Sequence, residues 1–183
     1  NFKIMLISHF FNEELLLPYF IDHHKHMFDH AVLINYNSTD RSLDIIKKMA
    51  PRTWIVKNST TGNVFDAVIC DWEVENYEAK YPYHFKIALT ITEFLIYPNM
   101  RGELRKYVKK ITVTNKNGII LKFPALFMVG NDTNPLLPHD KKKLVQQRSL
   151  YLCQNGISNP SDCKRYFKYF EDVSMTKIAD ITV

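Results

Sequence analysis

The stretch Ile4-Met5-Leu6-Ile7-Ser8-His9-Phe10-Phe11-Asn12-Glu13-Glu14 decides the fold. Its first four residues are an unbroken apolar run. Such a run suits a strand covered on both faces, as in a parallel sheet, better than a strand with one wet face, which would alternate. The polar group His9 to Glu14 then falls at the strand's carboxyl end. Pro18, tolerated in a first helical turn, leads into Phe20, His24, Met27 and Phe28 at helical spacing. Strand, polar loop and helix form the repeating unit of α/β proteins.

Working outward, the unit recurs. Ala31 to Ile34 is a second apolar run, and Asn37-Ser38-Thr39-Asp40 is a turn and helix-cap cluster opening onto Leu43, Ile46 and Ala50, a helix that Pro51 closes. Trp54-Ile55-Val56 supplies a third strand, followed by the polar loop Asn58 to Asn63. A third helix is expected over 64–80, with Val64, Val68, Asp71, Glu75 and Glu78 along one stripe that turns acidic. Phe85 to Leu89 predicts a fourth strand running into Thr90-Ile91-Thr92-Glu93-Phe94-Leu95. Beyond it the pattern predicts a short basic helix over 102–110, a hairpin over 111–123 around Asn115-Lys116-Asn117-Gly118, a strand over 125–129 and a loop over 130–138. The alternation defines an α/β chain with a central, mostly parallel mixed sheet flanked by helices.

Composition narrows the class. The chain has 183 residues, 46% hydrophobic and 23% charged, which excludes a disordered or low-complexity protein. No apolar run reaches the length of about 18 residues that a membrane helix needs, and Lys3, Ser8 and His9 interrupt the opening stretch where a secretory signal would lie. A soluble, cytoplasmic protein without a membrane span is the expectation. The length suits one domain over 1–183. Starting at Asn1 without Met, the chain reads as part of a longer one.

Cys70, Cys153 and Cys163 lack zinc-type spacing and read as reduced thiols, with a disulfide between Cys153 and Cys163 left open. Residues 1–100 carry 9 basic and 12 acidic side chains, whereas 101–183 carry 15 and 7. The basic half suits an anionic partner or simply a solvated face. Lys141, Lys142 and Lys143 have no interleaved aromatics, so nucleic acid is not the partner expected.

Ligands of open parallel sheets sit beyond the strands' carboxyl ends. Four polar clusters fall there: His9 to Glu13, Asn35 to Asp40, Asn58 to Asn63 and Thr90 to Glu93. Amides, hydroxyls and helix-start N–H groups around one cleft suit a nucleotide. Neither a Walker-type loop nor Gly-x-Gly-x-x-Gly is present, so phosphate-cradling NTPases and dinucleotide enzymes lack support.

These residues carry a resemblance. Ile7 to Glu14, with Leu17-Pro18-Tyr19 and His23-His24 behind it, resembles the opening motif of family-2-type glycosyltransferases. Asn35-Tyr36-Asn37-Ser38-Thr39-Asp40 resembles their second-strand turn. Phe65-Asp66-Ala67 with Asp71, Glu73, Val74 and Glu78 resembles the helix after strand three in a branch found in large DNA viruses, the chlorella-virus-like capsid-glycan enzymes, and in bacterial glycan assembly. Leu89 to Leu95 resembles the place where the group carries Asp-x-Asp-Glu-Phe-Leu, but with Thr90 and Thr92 in place of both aspartates.

The resemblance implies a GT-A fold with a nucleotide-binding half over about 1–98 and an acceptor-side half over about 99–183, a UDP-sugar donor, a Mn²⁺ or Mg²⁺ ion on its diphosphate, and a glycan or glycoprotein acceptor. Phe10, Asn12 and Glu13 would belong to the donor site, Asn35 and Asn37 would read the nucleobase, and Asn12 and Ser38 would position the nucleoside. Asp71 would line the donor pocket. Thr92 and Glu93 would serve the diphosphate, with Glu93 and the more distant His139 as metal ligands. Asp132 and Asp140 are the candidates for an acceptor base beside Glu93. Two other classes fit the same residues: a nucleotide-sugar-binding module without turnover, and a basic interaction domain on the same fold.

Overall fold

The computed structural model describes residues 2–62, 64, 66–95, 103–114, 126–128, 135–142, 144, 150–153 and 163–166. The chain forms two compact units, one of Asn1–Ile96 with Met100–Gly118 and the other of Tyr97–Asn99 with Ile119–Val183.

The first unit is built from β1 (Ile4–Phe10), α1 (Leu17–His24), β2 (His30–Asn35), α2 (Ser42–Met49), β3 (Trp54–Asn58), α3 (Ala67–Lys80), β4 (Phe85–Ala88) and α4 (Glu103–Thr114). Its four strands pair in parallel in the order β3-β2-β1-β4. Both central strands are apolar on both faces, and Ile4 to Ile7 and Ala31 to Ile34 are each no more than 1% exposed. Alternation sorts them. Met5, Ile7, Val32 and Ile34 pack with Tyr36 and Cys70, against Ile55, Val74 and Tyr77.

Local chemistry sets the helix starts. Pro18 stands in the first turn of α1, as its fixed backbone angle favours. Asp66 caps α3, its carboxylate accepting the Val68 and Ile69 N–H groups at 2.9 and 3.2 Å. At the amino ends of the strands, Arg105 of α4 holds Asp29 through two bonds of 2.8 and 2.9 Å. The other oxygen contact of Asp29 is the Ile4 N–H at 2.8 Å, so this pair ties α4 to the start of β1.

Three expectations need correction. The hairpin over 111–123 loses its first arm, because α4 continues through Ile111 to Thr114; the β-branched Ile-Thr-Val-Thr run yields to a helix already anchored by buried Leu104 and Val108 one turn apart. The remainder of that hairpin lies outside the described residues. On α3 the packed side is Cys70, Glu73, Val74 and Tyr77, while Val64 and Val68 of the expected stripe are exposed. On α2, Leu43 is exposed and Ser42 and Ile46 are buried.

The second unit contains the antiparallel sheet β5 (Leu126–Met128), β6 (Leu150–Cys153) and β7 (Cys163–Tyr166), in that order. β5 falls within the strand expected over 125–129. Among the described residues no helix is long and apolar enough to cross a membrane.

Candidate functional site

The chain runs from β1 outward through β2 to β3 and then returns to place β4 on the other flank of β1. That reversal makes the carboxyl ends of β1 and β4 the switch point at which such sheets take ligands, with chain on either side of it. One wall comprises the β1–α1 and β2–α2 loops; the other is the Thr90–Glu93 turn after β4.

The two loops of the first wall are joined by side chains. Asn12, with a left-handed φ of 52°, donates its backbone N–H to Ser38 Oγ at 3.0 Å, and its Oδ1 accepts the Thr39 and Asp40 N–H groups at 2.8 and 3.4 Å. Glu13 N–H donates to Ser42 Oγ at 2.9 Å, and Asp40 accepts the Glu14 and Ser42 N–H groups, both at 2.9 Å. Burial raises the Asp40 carboxyl, but the Ser42 side chain and the Ser42 and Glu14 N–H groups outweigh it and hold its pKa below the ordinary value. Burial first, and then the charge of Asp40, push half-buried Glu13 upward.

Asn35 is buried, accepts the Ser38 N–H on Oδ1 at 2.9 Å and donates Nδ2 to Asn58 Oδ1 at 3.4 Å. Its amide therefore shapes the β2 turn. Asn37 is exposed, again with a left-handed φ of 57°, and presents its side chain at the loop surface. Phe10 is 2% exposed and contributes its carbonyl, which accepts Tyr36 N–H at 3.0 Å and prolongs the β1–β2 ladder.

Beneath this wall lies a buried carboxylate that sequence reasoning left out of the site. Glu73 accepts from Tyr36 Oη at 2.9 Å, Ser59 Oγ at 3.0 Å, Thr60 N–H at 2.6 Å and Thr60 Oγ1 at 2.8 Å. Burial alone would favour its neutral form; the four donors reverse that and lower its pKa. With its hydroxyl hydrogen given to Glu73, Tyr36 accepts from the Cys70 thiol, 2.7 Å away. In the sequence Glu73 stood out only within the segment Phe65 to Glu78 that carries the resemblance, with no role of its own.

His9, on the same face of β1, meets the Tyr36 ring edge-on at 6.0 Å. Burial lowers its pKa, opposed by the negative charges of Asp71, Glu73 and Glu93. One imidazole thus feels carboxylates from α3 and from the turn after β4. Asp71 is exposed on α3, outside the packed stripe, and its charge acts on that imidazole.

The second wall is compact. The ladder continues past β4, with Leu89 N–H donating to the Ile7 carbonyl at 3.0 Å. Glu93 N–H donates to the Thr90 carbonyl at 3.0 Å, and Glu93 Oε2 accepts the Thr90 N–H at 2.7 Å. The Thr90 and Thr92 hydroxyls bond each other at 2.8 Å. Ile91 is buried, whereas Thr92 and Glu93 are exposed.

Among the described residues no group of three or more His, Cys, Asp or Glu side chains stands ready to hold a metal ion. The oxygen donors of exposed carboxylates suit a hard cation such as Mg²⁺ or Mn²⁺. Glu93 and Asp71 are the side chains at this edge able to contribute. His139 and Asp140 belong to the second unit, in a turn where Lys141 N–H donates to the Pro138 carbonyl at 3.0 Å. Asp132 lies outside the described residues. Comparison with protein families, with curated proteins and with solved structures finds no match to this chain.

Proposed function

We propose that the chain is a GT-A-type glycosyltransferase domain of the family-2 kind, taking a sugar from a UDP-sugar and passing it to a hydroxyl of a glycan. The observation that carries this reading is the placement of Asn12 and Ser38 on one side, and Thr92 and Glu93 on the other, of the β1/β4 switch point of a parallel sheet. These positions come from three separate loops, and the resemblance assigns all of them to the donor.

In this reading the exposed Asn37 meets the nucleobase. The Asn12–Ser38 lock holds the nucleoside wall, with buried Asn35 as its support. Glu93 and Asp71 would hold a divalent cation, which when bound offsets the charge gathering on the departing nucleoside diphosphate. A diphosphate bound at this edge would favour the protonated form of His9. The acceptor hydroxyl needs a base to take its proton. The acceptor proposed is a glycan, as in capsid-glycan synthesis.

A second reading, a nucleotide-sugar-binding module without turnover, draws on the Thr90–Thr92 hydroxyl pair occupying the place of two carboxylates. A thermal-shift panel of UDP, GDP, CMP and their sugar conjugates, with and without Mn²⁺, tests both, because a ligand of the native state raises its melting temperature by mass action. The enzyme reading expects a Mn²⁺-dependent shift with UDP compounds and slow release of free sugar from the donor. Stabilisation without any sugar release supports the module. No shift with any nucleotide overturns both.

A further inference from the structure

The turn that carries Thr92 and Glu93 is held from behind by two consecutive histidines. His23 and His24, on the last turn of α1, are 3% and 0% exposed. His23 Nε2 donates to the Leu95 carbonyl at 2.8 Å, and Leu95 N–H donates to His24 Nε2 at 3.1 Å. Both backbone groups of Leu95 are therefore bound by adjacent side chains seventy residues away in the chain. The bond directions fix the protonation of His24. Its Nε2 accepts from an N–H, and its Nδ1 lies 2.9 Å from the Phe20 carbonyl, which can only accept. The ring is neutral, with its single proton on Nδ1.

We propose that His24 in this tautomer is a positioning residue for the Thr90–Glu93 turn, and that a second proton on its ring releases the turn from α1. A proton on Nε2 would set two donors, Nε2–H and the Leu95 N–H, against each other and place a charge in a fully buried site. Both effects favour departure of the segment that carries Leu95. Ring neighbours of His24 are Phe20, Phe28 and Phe94, with His23 edge-on at 4.7 Å. On its own helix, Asp22 and Lys25 are paired with each other at 2.7 Å. On the segment it holds, Glu93 is tied to Thr90 N–H, and on α2, which packs against α1, Asp44, Lys47 and Lys48 are exposed.

This inference rests on the donor reading only for its consequence: protonation would weaken UDP binding by displacing Glu93. The clamp itself is tested without ligand. Imidazole ¹⁵N spectra of the intact chain at neutral pH should show His24 protonated on Nδ1 and bare on Nε2. Leu95 amide protection from hydrogen exchange should fall on acidification in a single-proton transition, together with shifts at Thr92 and Glu93.

Two variants separate positioning from packing. His24→Gln places an amide oxygen near the former Nε2, so it keeps Leu95 protected and makes that protection independent of pH. His24→Asn cannot reach Leu95 and loses about tenfold of the protection at every pH, as expected for one hydrogen bond. An Nε2-protonated or charged His24 at neutral pH overturns the proposal, as does Leu95 protection with the same pH dependence in wild type and His24→Gln. Should a variant fail to fold, the wild-type tautomer and pH series decide. If UDP with Mn²⁺ binds at no pH, the donor reading fails while Leu95 still judges the clamp.

Discussion

Asn12 and Ser38 lock the first two strand ends to each other: the Asn12 N–H donates to Ser38 Oγ at 3.0 Å while the Asn12 side chain, at positive φ, accepts the N–H of the residue after Ser38. The backbone conformation and the amide are separate contributions. Glycine would keep the first and lose the second; alanine would lose both. Asn12→Ala should therefore be less stable than Asn12→Gly by about 1 kcal/mol, the cost of a Cβ in the left-handed region. Urea denaturation of both variants checks the order. Both should also weaken UDP binding, by more than the change in stability alone requires.

Glu73 should be a stability determinant with an acid signature. Glu73→Gln puts an NH₂ group among four donors and leaves one of them without an acceptor, at about 1–3 kcal/mol for a buried polar group left unsatisfied. Because hydrogen bonding lowers the Glu73 pKa in the folded chain, its stabilisation is complete above the unfolded value of about 4.3 and is lost as pH falls through the lower folded value. Wild type should lose stability over that window. Glu73→Gln, starting lower, should lose less, as read by urea midpoints from pH 7 down to 3.

Asp29 and Arg105 make the equivalent tie at the opposite, amino end of the sheet. Burial would raise the Asp29 carboxyl, but bonds from Arg105 and Ile4 N–H outweigh it and lower its pKa. The pair is about one-third exposed, so the expected loss for Asp29→Asn is about 1–2 kcal/mol. That loss should shrink in high salt. Since the site lies at the far end of the strands, UDP affinity should be unchanged at a pH where the variant is fully folded.

How much of this was legible depended on whether one segment or several decided the outcome. β1 and β2 were readable because Ile4–Ile7 and Ala31–Ile34 are continuous apolar runs, and burial on both faces is a property of the run itself. The inner side of α3 was not, because Trp72 and Val68 are exposed while a carboxylate is buried, so hydrophobicity points the wrong way. The reason for that inversion is Tyr36, Ser59 and Thr60, contributed by the loops after β2 and β3. Likewise, Asn12 and Ser38 were picked out as ligand groups, but their bonding to each other emerges only once β1 and β2 are adjacent. The clamp of His23 and His24 on Leu95 had no local sign beyond two histidines in a row.

Cys153 and Cys163 are directly opposite one another in the antiparallel β6–β7 pair. Antiparallel partners stand about 4.5–5.5 Å apart at Cα, within the span of about 4.4–6.8 Å that a disulfide bridges. Mild oxidation should link these two and leave buried Cys70 as the free thiol. Peptide mapping without reductant checks it, and a link involving Cys70 would contradict the packing of α3.

The central claim is that a nucleoside diphosphate and a divalent cation meet at Glu93, at the β1/β4 switch point. Paramagnetic broadening by Mn²⁺ tests this most directly: amide spectra recorded with UDP, with trace Mn²⁺, and with both. The account predicts that broadening in the presence of UDP centres on Thr90 to Glu93, extends to Asn12 and Ser38, and is lost in Glu93→Gln. Broadening that ignores UDP, centres elsewhere, or persists unchanged in Glu93→Gln would contradict it.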